Sequence, residues 1–75
     1  MNLGPTSAGW LRDVGIASFE DLERLGSVAA YQQVAERRPG VSLNLLYALE
    51  GALLDVRWDL LSREVRADLR RRAGR

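Results

Sequence analysis

The chain has 75 residues, with ten acidic side chains, eleven Arg, no Lys, no Cys, no His and a net charge of +1. A chain of this length forms one domain, 1–75, that buries only about 60% of its unfolded surface and has a thin stability margin. The lack of Cys and His removes disulfides, thiolate chemistry, the usual zinc sites and the commonest general base. No metal or other cofactor is expected, and packing alone must hold the fold.

The opening MNLGPTSAGW has neither the basic region nor the apolar core of a signal peptide. No apolar run approaches the ~18 residues that span a bilayer, so a soluble cytoplasmic protein without a membrane partner is expected. Gly4-Pro5 starts the first predicted helix, since Pro lacks only an N–H that would have no partner in a first turn. The helix runs to about Val14, with Ala8, Leu11 and Val14 inward and Trp10 beside them, and Gly15 ends it. Ser18 caps a short second helix. Asp21 stands three residues on, as in a capping box, and Glu20 and Glu23 add negative charge near the positive helix end. Phe19, Leu22 and Leu25 are expected to face inward, and Gly26 stops this helix. Ser27 is read as the cap of a third helix carrying Val28, Tyr31, Val34 and Ala35, which ends before Pro39-Gly40.

The fourth helix, about 42–54 in VSLNLLYALEGALLD, is the most apolar stretch and the expected centre of the fold. Ser42 caps it. At about 100° per residue, Leu43, Leu46, Tyr47, Leu53 and Leu54 share one side, and Leu45, Leu49 and Ala52 widen the apolar arc past half the circumference. Such a helix is wrapped by others. Asn44, Ala48, Gly51 and Asp55 leave a narrow strip of small or polar residues. After a connection at 55–57, Trp58 to Leu61 form a short helical turn. Ser62 caps a last helix with Val65 and Leu69 inward and Arg70, Arg71, Arg72 and Arg75 at its fraying end. Nothing alternates strictly enough to predict a sheet. The expectation is an all-α, compact five-helix domain with a central buried helix.

Three constellations bear on chemistry. Leu3-Gly4-Pro5-Thr6-Ser7 looks like the hairpin and helix start of a helix-hairpin-helix, where free backbone amides and the helix dipole bind phosphate. Asn2 replaces the first hairpin Gly, and Thr6 replaces a basic residue that often assists, so a packing role competes with DNA binding. Arg63, Arg66 and Arg70 fall at i, i+3 and i+7 and make a stripe able to follow a phosphate backbone. A solvated face is the favoured reading, because acids elsewhere offset the charge. Glu50 and Asp55 lie on different faces of one helix, with no nucleophile, nucleotide loop or metal cluster beside them, so no catalytic residues are assigned and the protein is not read as an enzyme.

Glu50 interrupts the apolar face among Leu43, Leu46, Tyr47 and Leu54, and is read as a structural buried polar residue. An unpaired buried carboxylate is too costly to persist. Its expected donors are the amides around Thr6 and Ser7, or an Arg or Trp N–H. In the first case it would fill the place of a phosphate. The alternative is a surface pair worth at most about 1 kcal/mol.

Taken together, NLGPTSAGWLRDVGI, SFEDLERLGSVAAY and PGVSLNLLYALEGAL, with Trp58 and the closing helix, closely resemble the C-terminal domain of the TfoX/Sxy family of bacterial competence regulators. The resemblance covers nearly the whole chain, and Val41 to Gly51 is its most specific piece. It implies an all-helical fold related to helix-hairpin-helix and SAM-like domains, and a role in DNA-transformation competence. The favoured reading is a regulatory domain that binds a transcription partner, or itself, through exposed surface such as Trp10 or Trp58. The alternative is a non-specific DNA-binding module using the 3–7 helix start and the basic last helix.

Overall fold

The computed structural model describes residues 5–74. Asn2, Leu3 and Gly4 of the hairpin reading, and Arg75, lie outside the described residues. Among the described residues there are five α-helices, one 3-10 turn and no strand: α1 Pro5–Asp13, α2 Phe19–Leu25, α3 Ser27–Arg37, α4 Leu43–Leu54, the turn Trp58–Leu60, and α5 Arg63–Arg72.

Local chemistry sets most boundaries. Helix α1 closes with Ile16 N–H donating to the Leu11 carbonyl at 2.9 Å and Gly15 N–H to that of Arg12 at 3.0 Å. These are the two bonds of a Schellman motif, which needs the left-handed residue that Gly15 supplies at φ 86°. The motif also brings Ile16 back onto Leu11, and both side chains are buried. The Ser18 hydroxyl accepts the Asp21 N–H at 3.2 Å, while the Asp21 carboxylate reaches back to the Ala17 N–H at 3.1 Å. That backbone bond, helped by Ser18 and the Arg24 guanidinium, holds the Asp21 carboxyl below its ordinary pKa of 3.8. Ser42 accepts from Asn44 N–H, and Ser62 from Val65 N–H.

Helix α4 is the hub, touching α2, α3, the 3-10 turn and α5. Leu45, Leu46 and Leu49 are buried with Leu11, Leu22, Tyr31, Val34 and Leu69 in one contiguous core. Two expectations are corrected. Leu25 and Leu54 stand exposed, at 37% and 54%, each at the last position of its helix. Ser27 does not cap α3; it is the first helical residue, and Gly26 holds the cap position without a side-chain bond. Within the strip of small or polar residues on α4, Gly51 is buried.

Gly51 is buried because the chain turns back over it. Asp55 takes the left-handed conformation at φ 57°. Val56 N–H then donates to the Gly51 carbonyl at 2.9 Å, and Asp55 N–H to that of Ala52 at 3.4 Å, a second Schellman motif with Asp in the glycine position. The segment continues across the Gly51 Cα. A Cβ there would sit 2.7 Å from the Val56 carbonyl oxygen and 3.2 Å from the Trp58 nitrogen, both backbone atoms.

Gly51→Ala should therefore destabilise the domain, although Ala favours a helix over Gly by about 1 kcal/mol. Overpacking against backbone costs typically ~1–3 kcal/mol or more, so a denaturant midpoint equal to or above the parent's would refute the contact. Acid unfolding tests the Asp21 bond. A carboxyl depressed on folding contributes stability that is present above its unfolded pKa and lost as pH falls through the lower folded value. Asp21→Asn should accordingly flatten the stability profile from its ordinary value of 3.8 downward, and a profile that keeps its slope would exclude that residue as the source.

Candidate functional site

Glu50 on α4 and Arg66 on α5 each reach a polar partner on another element. Glu50 is half-buried rather than enclosed. Its Oε1 accepts the hydroxyl proton of buried Ser27 at 2.7 Å. Ser27 opens α3, so the carboxylate lies at the positive end of that helix, where the dipole favours a negative charge. The donor is thus a hydroxyl at a helix start, but at the start of α3 and not at Thr6 or Ser7. Those two occupy the first turn of α1, Thr6 exposed and Ser7 half-buried. Glu50 does not fill the phosphate position proposed there.

Arg66 departs furthest from its expected role. It is half-buried, and its Nη2 donates to the Asp59 carbonyl at 3.0 Å and reaches that of Trp58 at 3.5 Å. Its guanidinium lies 5.6 Å from the centroid of the Tyr47 ring and 5.7 Å from that of Trp58. Two cation–π contacts and two carbonyls make it a clamp that ties the 3-10 turn to α5. Its Nε is buried without a partner among the described residues. The stripe of Arg63, Arg66 and Arg70 is consequently interrupted at its centre, leaving Arg63 and Arg70 exposed on either side. Arg71 and Arg72 both pair with Asp68, the latter at 3.2 Å.

The two tryptophans are not brought together. Trp10 is half-buried under the Arg38 guanidinium, 5.1 Å above its ring, and Arg38 also approaches Asp13 at 3.9 Å. Trp10 is therefore capped by a cation. Trp58 is 41% exposed, and Leu54, Val56 and Leu60, close to it in sequence, are exposed as well, Leu60 at 69%. A groove of about 650 Å³ is lined by Phe19, Ala48, Ala52, Val56 and Trp58 together with the charged Asp55, Arg57 and Asp59. The sequence reading singled out Trp58 but missed Leu54, Val56 and Leu60. The apolar run LLDVRWDLL was the available signal, since it has more large apolar residues than one short turn can bury.

Among the described residues no group of acidic side chains could hold a metal ion, and no helix is long and apolar enough to cross a membrane. The TfoX C-terminal domain family matches residues 1–73, and the chain belongs to that family, a domain of regulatory type. The fold is similar to the crystal structure, in a tetragonal form, of a protein of unknown function from Listeria monocytogenes. The two share 30% identity over 97% of this chain and 90% of that one, with a TM-score of 0.90. No curated protein matches the chain.

A double-mutant cycle tests the Ser27–Glu50 contact. Glu50→Ala strands the buried Ser27 hydroxyl and should cost roughly 1–3 kcal/mol. In the Ser27→Ala background the same change should cost clearly less. Equal costs in both backgrounds, by chemical denaturation, would show that the bond contributes nothing.

Proposed function

We propose that this domain is a non-enzymatic, cytoplasmic regulatory module of DNA-transformation competence that works by binding another protein through the 54–60 surface. One observation carries the reading. Of the five large apolar side chains that stand exposed among the described residues, Leu54, Val56, Trp58 and Leu60 fall within a single seven-residue stretch, and only Leu25 lies elsewhere. Scattered apolar residues on a surface mean little, but exposed apolar side chains gathered on one segment, with Val56 and Trp58 lining a groove, favour an interaction site. Membership of the TfoX C-terminal domain family supports the link to competence. The rival DNA reading loses support with the inward turn of Arg66, which leaves two separated arginines where a stripe of three was required.

The two readings separate in the cell. Leu60→Asp alters a side chain that is 69% exposed and should leave the thermal transition near that of the parent. In a host whose transformation depends on this gene, it should strongly reduce expression of the DNA-uptake genes. Arg63→Glu combined with Arg70→Glu should leave expression near normal. The opposite pattern, together with duplex DNA binding that falls steeply with rising salt, would establish the DNA reading instead.

A further inference from the structure

The groove has an electrically unbalanced end. Helices α1, α2, α3 and α5 each carry Arg in the last turn: Arg12, Arg24, Arg37, and Arg70 with its two successors. Helix α4 has no basic residue there. Asp55 stands at its C-cap instead, adding a full negative charge where the dipole is already negative. The neighbouring Arg57 is held by Asp59 at 2.8 Å. Asp55 has no ion pair among the described residues, and it lines the same groove as Ala48, Ala52 and Trp58. With two acids and one base, the rim at 55–59 has a net charge of −1.

Resting on the interaction reading above, we propose that the groove takes an amphipathic helix of another protein. That helix presents large apolar side chains at i, i+3 or i+4, and i+7, with Lys or Arg at the end that meets Asp55. The floor suits this occupant, because Ala48 and Ala52 are one helical turn apart on α4 and leave room for an apolar side chain to enter. The wall is pre-formed. The close approach at Gly51 and the Arg66 clamp fix the 55–60 segment from two sides, so little ordering cost attends binding. Strand addition has no sheet edge to use among the described residues. A second copy fits poorly. Among the described residues Leu25 is the one exposed large apolar side chain outside this surface, so two copies meeting through described apolar residues would pair groove to groove, with Asp55 and Asp59 of both at one interface.

A random peptide library panned against the intact domain tests this, with the enriched peptides then synthesised as probes. The expected winners carry apolar residues at helical spacing and a net positive charge, become helical when bound, and shift the backbone amide signals of Ala48, Ala52 and Trp58. Asp55→Asn keeps a residue that tolerates the left-handed conformation. It should weaken the winning peptide roughly threefold to tenfold, with less sensitivity to salt, and Val56→Asp, at an exposed apolar side chain that lines the groove, should abolish binding. Enrichment of acidic or extended peptides that still require Val56 would overturn the helix proposal and leave the interaction reading standing. Peptides indifferent to Val56→Asp, or no enrichment at all, would overturn both. Concentration-dependent association of the domain that Val56→Asp disrupts would replace the foreign helix with a second copy.

Discussion

The close approach of the chain to Gly51 is the constraint on which the rest depends. Helix α4 is apolar over more of its surface than α2, α3 and α5 can cover, and a helix of that kind must be enclosed. The enclosure on the remaining side is backbone rather than side chain. Asp55 turns left-handed, Val56 bonds back to the Gly51 carbonyl, and the peptide at 56–58 lies directly on the Gly51 Cα. Everything after that point is positioned by it. Trp58 and Asp59 present their carbonyls to Arg66, and Arg66 in turn holds α5 in place to bring Leu69 into the core. A missing side chain on one helix thereby sets the placement of another.

The polar contact beneath α4 works on the opposite side of the balance. A carboxylate among leucines is a liability that burial alone would make worse. Glu50 avoids this by remaining half-exposed and by taking the Ser27 hydroxyl at the start of α3. The bond fixes the rotation of α4 against α3, because any large turn about the α4 axis would leave both groups unpaired. Net hydrogen bonds are worth about 0.5–1.5 kcal/mol, whereas stranding a buried partner costs about 1–3 kcal/mol. The contact therefore specifies the packing more than it adds to total stability.

How much of this could be read from the residues depended on the range of the interaction. Helix ends were legible because caps act over two to four residues: Gly15, Ser18, Ser42 and Ser62 each do what their type and spacing indicate. Ser27 follows the same local grammar and was misread, since Gly26 already ends α2 and leaves Ser27 inside the next helix, free to serve Glu50. The apolar face of α4 was legible as an arc, but period alone does not say which neighbour covers which part. Leu54 was therefore expected inward and stands out, while Gly51, in the strip of small or polar residues, lies covered by the chain that follows. The Arg stripe failed for a related reason. Helical spacing places Arg66 between Arg63 and Arg70, but two carbonyls brought round by the turn at 55–60 capture its guanidinium. The groove itself was only partly legible, through Trp58, because it exists only once that turn has folded back.

The same captured charge limits what the basic end of the chain can do. Affinity for a nucleic-acid backbone scales with the number of phosphates neutralised, and proteins that rely on it make on the order of 6–10 such contacts. Arg66 is committed to carbonyls and two aromatic rings, and Arg71 and Arg72 share Asp68. Arg63 and Arg70 remain exposed on α5 without an ion pair among the described residues. Two exposed charges, with ionic screening over ~8 Å at physiological salt, give a weak and salt-labile attraction. The 54–60 surface is different in kind, since burial of apolar area gains about 25 cal/mol per Å² and does not fade with salt in that way. On these magnitudes the proposed recognition through the groove draws on a salt-resistant term, whereas the exposed arginines of α5 contribute to the long-range field of the domain.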